Sequence, residues 1–201
     1  MRLLLVRHGQ SEWNASRRLQ GQADIGLSST GMQQAEALRP VIAAIGPCRA
    51  VASDLKRVRQ TADLIGAGQA RATQDLREID VGDWTGRPID EILAEDEAAY
   101  LGWRAGTVTP PGGEAWEDFT ARIAEVIERE RVTPCANLLV VCHGGVIRAI
   151  LQRLLGLDPA RIVPVGPASL TAVRLNNGRD KPARLELFNF LPGGPAFEAP
   201  D

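Results

Sequence analysis

Short apolar runs alternate along the chain with longer segments whose apolar residues recur every three or four positions. The runs predict buried β-strands and the recurring spacing predicts amphipathic helices. The predicted strands cover residues 3–6, 50–52, 71–73, 138–141, 170–175 and 184–190. The predicted helices cover residues 31–45, 55–65, 114–131 and 145–155, the first with an N-cap at Ser29 or Thr30. Strands that alternate with helices predict a layered α/β sheet.

The part of the chain between the third strand and the 114–131 helix has no clear periodicity. We interpret residues 80–116 as an insertion of one or two helices that shapes a substrate pocket and ends in a Pro-Gly turn. Residues 192–201 contain three Pro and two Gly, which predicts a mobile tail. A length of 201 residues favours a single domain that spans the whole chain.

Charge and cysteine content narrow the class of protein. A net charge of −2 argues against nucleic-acid binding and leaves a small anionic ligand open. No apolar stretch is long enough to cross a membrane, and the four-residue run at 3–6 is too short for a signal-peptide core. Three cysteines without a C-x-x-C pair predict neither a disulfide scaffold nor a zinc ribbon and favour a reducing compartment. We therefore expect a cytoplasmic protein, with a homodimer left open.

The two histidines of the chain, His8 and His143, each follow a predicted buried strand and precede a glycine. Ligands of such sheets bind at the carboxyl ends of the strands, and glycine allows the backbone to approach them closely. Arg7 lies beside the first histidine, and Arg57 lies near the start of a helix. Arginine binds phosphate through planar paired donors, and a helix N-terminus adds N–H groups. Each residue alone is more often structural, but together they favour phosphate chemistry.

The segment of residues 7–14, Arg-His-Gly-Gln-Ser-Glu-Trp-Asn, resembles the first motif of the histidine phosphatase superfamily, which includes cofactor-dependent phosphoglycerate mutase. Further segments resemble the later motifs of the family in the same order, at 20–35, 53–62, 76–86, 111–114 and 141–145. The resemblance covers roughly residues 2–150. Each segment alone is weak evidence, whereas six in order are specific. The resemblance implies a three-layer α/β/α sandwich around a central, mostly parallel sheet.

The same resemblance implies a phosphomonoesterase that acts on a small phosphorylated metabolite. His8 would be the nucleophile and form a phosphohistidine, and Glu78 would protonate the leaving alcohol and then activate water. The residues implied to hold the phosphoryl group or the substrate are Arg7, Arg57, His143, Asn14, Gln20, Gly21 and Gly144. Two arginines and a protonated His143 can neutralise the phosphoryl charge, so we expect no metal and no other cofactor.

Three alternatives remain beside hydrolysis through His8. A mutase would need a clamp for the substrate carboxylate; the segment after Glu78 has no Tyr or Lys, although Arg87 and Arg104 could restore such a clamp. A phosphoester-binding protein without activity would not need Glu78. The 142–148 segment fits the C-x-x-G-x-x-R spacing of cysteine-dependent phosphatases, but that mechanism leaves His8 and its neighbours unexplained. The residues therefore favour a phosphatase and do not identify its substrate.

Overall fold

The computed structural model of the chain describes residues 1–176 and 182–194. The strands within those ranges are β1 Arg2–Arg7, β2 Arg49–Ser53, β3 Arg71–Thr73, β4 Asn137–Cys142, β5 Leu170–Arg174 and β6 Arg184–Phe190. The α-helices are α1 Glu12–Ala15, α2 Ser29–Ile45, α3 Lys56–Leu64, α4 Ile89–Ala105, α5 Trp116–Arg131 and α6 Gly144–Leu155. Each predicted strand and helix is present, with ends that differ by a few residues.

The six strands form one sheet in the order β3-β2-β4-β1-β5-β6. Strands β1 to β4 are parallel to one another, and β5 is antiparallel to both β1 and β6. This topology confirms the expected mostly parallel sheet. Because β1 and β4 lie side by side in the middle, their carboxyl ends meet at the same edge.

Helices cover both faces of the sheet because the side chains of each strand alternate between them. Leu3 and Leu5 of β1 pack in one core cluster with Phe119 of α5 and Val146 of α6. Their neighbours in β1 pack on the other face with Leu38 of α2 and with α3. The central strands are buried on both sides, as their continuous apolar runs predict. This arrangement confirms the three-layer sandwich.

Helix α2 begins two residues earlier than predicted. Its N-cap is Ser28, whose hydroxyl accepts a hydrogen bond from the backbone N–H of Gly31, so the predicted caps at Ser29 and Thr30 are wrong. A Cβ on Gly31 would lie 1.9 Å from the carbonyl oxygen of Gln10. The first turn of α2 therefore packs directly on the loop that follows β1, and only glycine permits that contact.

The segment interpreted as an insertion contains a 3-10 turn at Gly82–Trp84 and the helix α4. Asp96 departs from helical geometry inside α4, with φ −156° and ψ 85°, so the helix is kinked there. Of the tail predicted to be mobile, residues 192–194 are described and 195–201 lie outside the described residues.

The sequence predicts no disulfide scaffold, and it does not indicate an isolated disulfide either. Cys48 and Cys135 form one, with their Cα atoms 6.1 Å apart. They precede β2 and β4, which are neighbouring strands, so the sheet brings together residues 87 positions apart in sequence. Spacing along the chain could not indicate this pair.

None of the helices within residues 1–176 and 182–194 is long and apolar enough to cross a lipid bilayer.

We predict that Cys48→Ser lowers the melting temperature of the oxidised protein by roughly 10 °C. Closing a loop of this length stabilises a fold by about 4 to 5 kcal/mol in the chain-entropy view, and each kcal/mol shifts melting by about 2 to 4 °C at this size. Thermal melts with and without a thiol reductant measure the effect. The reductant should destabilise the parent protein and leave Cys48→Ser unchanged; equal melting of the parent under both conditions would contradict the prediction.

Candidate active site

The carboxyl ends of β1 and β4 bring the two histidines together. The backbone N–H of His8 donates to the carbonyl of Cys142 at 3.0 Å, which fixes the ends of the two strands against each other. The imidazole centroids of His8 and His143 are 5.3 Å apart. Both histidines are buried. Helix α3 contributes Arg57 from its first turn, and α6 begins directly after His143.

The hydrogen bonds of His8 determine which ring nitrogen carries the proton. Its Nδ1 lies 2.7 Å from the carbonyl oxygen of Gly9. Because a carbonyl can only accept, Nδ1 holds the proton and Nε2 carries the lone pair. The Nε–H of Arg57 donates to that Nε2 at 3.2 Å. Burial, and then the charges of Arg57 and Arg7, hold the pKa of His8 well below its usual value, so the ring is neutral.

The Arg57 guanidinium is buried and bound by backbone carbonyls. It donates to the carbonyl of Ala23 at 2.7 Å and to that of Gly21 at 2.9 Å, in addition to His8. Burial lowers the pKa of Arg57 to about 10, so it remains charged at neutral pH. Gly21 has a φ of 49°, a conformation that favours glycine. The loop that carries Gly21 is therefore shaped to hold the arginine.

Arg7 and His143 extend the wall of the site beside Arg57. Arg7 Nη1 donates to the carbonyl of Val165 at 2.5 Å, and His143 Nε2 lies 3.0 Å from Ser53 Oγ. Burial, and then the charge of Arg57, hold the pKa of His143 well below its usual value. Protonation of His143 is therefore disfavoured while the site is unliganded. A bound phosphoryl dianion would favour its protonation.

Glu78 faces the same cleft from the irregular segment after β3. Its carboxylate accepts hydrogen bonds from the backbone N–H groups of Gly145 and Ile79, each at 2.9 Å. A Cβ on Gly145 would lie 2.2 Å from Glu78 Oε1, so a larger residue there would displace the carboxylate. Sequence reasoning singled out Gly144, which also lines the cleft, and missed this role of its neighbour.

Asn14 and Gln20 line the cleft and are joined through one serine. Ser11 donates to Asn14 Oδ1 from its backbone at 3.1 Å and to Gln20 Oε1 from its hydroxyl at 2.7 Å. Asn14 also belongs to the capping box of α1, a four-residue helix that the sequence did not predict. With their oxygens directed to Ser11, the two amide groups can present N–H donors to the cleft.

The outer part of the cleft combines apolar and basic side chains. Its walls come from α4, α6 and the loop before β5, namely Trp103, Arg104, Ile147, Arg148, Leu151, Ile162, Val163, Pro164 and Val165. Of these, sequence reasoning had considered Arg104, for a carboxylate clamp, and Arg148, as the end of the 142–148 segment. No group of three or more His, Cys, Asp or Glu side chains within residues 1–176 and 182–194 is placed to hold a metal ion.

Known proteins share both the sequence pattern and the fold. The chain matches the histidine phosphatase superfamily, branch 1, over residues 3–188. The chain belongs to this superfamily. It is 36% identical over 178 residues to glucosyl-3-phosphoglycerate phosphatase of Mycobacterium tuberculosis, covering 82% of this chain and 80% of that protein. It is 33% identical over 168 residues to adenosylcobalamin/alpha-ribazole phosphatase of Salmonella typhimurium, covering 81% of this chain and 83% of that protein.

A solved structure of this superfamily supports the same assignment. The mycobacterial glucosyl-3-phosphoglycerate phosphatase in complex with VO3 superposes with a TM-score of 0.84 and 36% identity. The match covers 94% of this chain and 98% of that one. The histidine phosphatase fold therefore accounts for nearly the whole chain, and the relatives named here are phosphatases of small phosphorylated metabolites.

The placement of Cys142 argues against a cysteine nucleophile. It is the last residue of β4, and its side chain is completely buried in the core cluster beneath α6. Burial raises the pKa of its thiol, which disfavours the reactive thiolate. Arg148, which completes the cysteine-phosphatase spacing, donates instead to the carbonyl of Arg104 at 2.9 Å. The same segment fits the last motif of the superfamily without any use of the thiol.

We predict that acid destabilises the protein through its two buried histidines. Their folded pKa values lie below the unfolded value, so below about pH 6.5 the unfolded chain binds protons that the folded chain excludes. Each histidine should then remove up to about 1.4 kcal/mol per pH unit. Urea unfolding at about pH 7 and pH 5.5 in phosphate-free buffer measures the loss. His8→Gln should remove about half of the histidine contribution to the loss of stability between these pH values. A variant whose stability depends on pH as strongly as that of the parent would contradict this account.

Proposed function

We propose that the protein is a metal-independent phosphomonoesterase whose nucleophile is Nε2 of His8. The observation that carries the proposal is the tautomer of His8, because Gly9 holds the proton on Nδ1 and leaves a lone pair on Nε2 beside a buried cation. A neutral imidazole is nucleophilic, and a covalent intermediate divides one difficult step into two.

In the first step, the phosphoryl group lies among Arg7, Arg57 and His143, which neutralise its oxygens. The Nε2 of His8 attacks phosphorus as the bond to the leaving oxygen breaks. Glu78 donates its proton to that oxygen, and the alcohol departs. Phosphoryl transfer depends mainly on in-line positioning and charge stabilisation, which these fixed donors supply without reorganisation. Asn14, Gln20, Gly21 and Gly144 complete the binding site around the phosphoryl group.

In the second step, water replaces the alcohol. The Glu78 carboxylate takes a proton from the water as the water oxygen attacks the phosphorus of the phosphohistidine. The nitrogen–phosphorus bond breaks, inorganic phosphate leaves, and Nε2 regains its lone pair. The same carboxyl group thus acts first as acid and then as base, which returns the site to its starting state.

The proposed substrate is a small phosphorylated metabolite. The named relatives act on such compounds, and an outer cleft with both apolar and basic walls suits an organic leaving group with polar substituents. Hydrolysis is favoured over mutase activity because Arg87, one of two arginines considered for a carboxylate clamp, is not among the residues that line the cleft and pairs with Glu95 at 2.6 Å. Arg104 lines the cleft, and a mutase remains the second candidate.

We also propose a cytoplasmic location, on the sequence grounds given above. The Cys48–Cys135 disulfide is the feature that opposes it, since such bonds are rare in the cytosol. Trapping free thiols with an alkylating reagent in intact cells would distinguish a reducing from an oxidising compartment. Three alkylated cysteines after denaturation support a reducing compartment, and one supports an oxidising compartment.

We predict that the protein hydrolyses an aryl phosphate in excess EDTA and that His8→Ala reduces kcat by at least about 1000-fold, because the nucleophile is lost. Cys142→Ser is the matched control and should retain activity. Rapid acid-free quenching of the parent enzyme should trap a phosphohistidine on His8. Activity that persists in His8→Ala would overturn the proposed mechanism.

If the parent enzyme hydrolyses no phosphate ester, the same preparation decides between the remaining candidates. Conversion of a phosphoglycerate in the presence of its bisphosphate primer would establish the mutase. Tight phosphoester binding without turnover would establish a binding protein.

A further inference from the structure

We propose that Arg122 of α5 is a positioning residue that holds Glu78 in place for proton transfer. The inference rests on the proposed role of Glu78 as acid and base. Arg122 does not line the cleft, so it acts through the backbone of the segment that carries Glu78. Sequence reasoning gave no role to this arginine.

The guanidinium of Arg122 binds three backbone carbonyls around Glu78. Its Nη1 donates to the carbonyls of Asp75 and Arg77, each at 2.9 Å, and its Nη2 donates to the carbonyl of Glu78 at 3.1 Å. Strand β3 ends at Thr73 and only a short 3-10 turn, Gln74–Leu76, follows it, so no strand ladder satisfies these groups. Hydrogen bonds from a charged donor are roughly twice as strong as neutral ones. One side chain therefore holds the backbone of this segment where the strand has ended.

Glu114 completes the arrangement from the other side of the segment. Its carboxylate accepts from Arg122 Nε at 2.6 Å and from Arg122 Nη2 at 2.8 Å. It also accepts from the backbone N–H of Asp80 at 3.3 Å, and its own N–H donates to the carbonyl of Asp80 at 2.9 Å. The backbone is thus held both at Glu78 and two residues beyond it.

These contacts use every N–H of the guanidinium. The Nε–H binds Glu114, the two protons of Nη1 bind two carbonyls, and those of Nη2 bind a carbonyl and the carboxylate. A lysine offers one point charge with three donors and could not reproduce this planar set. The guanidinium carbon also lies 4.8 Å from the ring centre of Phe119, which is buried in the core. Arg122 therefore links the irregular segment to the rigid helix layer.

The chemistry provides a readout that separates positioning from general stability. Loss of an alkoxide requires a proton from Glu78, whereas a nitrophenolate leaves without one. The value of kcat/KM reports the steps up to phosphorylation of His8, in which the leaving group departs. A misplaced Glu78 should therefore lower kcat/KM for an alkyl phosphate and affect a nitrophenyl phosphate little. A general loss of folded protein lowers both equally.

The test compares kcat/KM for the two esters in Arg122→Met and in the matched control Arg129→Met. Arg129 lies on the same face of α5 and pairs with the carboxylate of Asp75 at 3.0 Å, but it binds none of the three carbonyls. We expect Arg122→Met to reduce the alkyl-to-aryl ratio by about 30- to 100-fold, since a displacement of about 1 Å can cost that much. Arg129→Met should leave the ratio within about threefold, as expected for an exposed pair.

A second variant keeps the proposal testable if Arg122→Met does not fold. Glu114→Gln retains the shape of its side chain and removes the charge that orients Arg122. It should reduce the same ratio by roughly 5- to 10-fold, in line with the loss of one charge-assisted contact. An unchanged ratio in whichever of the two variants folds would overturn the proposal.

Glu78→Gln separates failure of this inference from failure of the proposed function. It should reduce the alkyl-to-aryl ratio at least as strongly as Arg122→Met, and the double variant should show no further selective loss. Equal losses on both esters in Glu78→Gln would overturn the acid role itself. A selective loss in Glu78→Gln together with equal losses on both esters in Arg122→Met would overturn only the positioning role.

Discussion

A charged guanidinium buried at the carboxyl end of the sheet is the constraint on which the site depends. Arg57 is 1% exposed, and its hydrogen bonds go to backbone carbonyls and to His8, while the carboxylates of Glu78 and Asp24 act on its charge only from a distance. Backbone carbonyls of the 21–23 loop and the lone pair of His8 stabilise it instead. Carbonyl dipoles solvate a cation without cancelling its charge, so Arg57 keeps a net attraction for an anion in a region from which water is excluded.

The other features of the site follow from placing this charge beside two histidines. With burial, it keeps both imidazoles neutral, and the carbonyl of Gly9 selects the tautomer of His8. That carbonyl is fixed because the loop after β1 packs tightly on the start of α2. A Cβ on Gly9 would lie 2.3 Å from the carbonyl oxygen of Gly31, so two facing glycines permit the contact. The local backbone thus sets the protonation state of the nucleophile.

The sequence predicted those features that depend on local pattern or on strand ends. The central position of β4 followed from its continuous apolar run, and the meeting of His8 with His143 followed from the carboxyl ends of two parallel strands. It did not predict the Cys48–Cys135 pair, the neutral state of His143 or the contacts of Arg122. Each of these depends on which distant segments the sheet and α5 bring together, and no spacing along the chain records that information.

The two halves of the cleft differ in how the fold supports them. The nucleophile and the phosphoryl-binding side chains come from strand ends and helix starts, whose geometry the whole sheet determines. Glu78 and much of the outer wall come from irregular segments and from the kinked α4, which side-chain contacts and isolated backbone hydrogen bonds hold instead of a sheet ladder. Loops accept sequence change more readily than buried strands do. Phosphoryl chemistry can therefore persist while the leaving-group pocket changes, and relatives named for different phosphorylated metabolites fit that division. The acid must serve every such leaving group, which explains why a separate side chain ties its segment to the rigid layer.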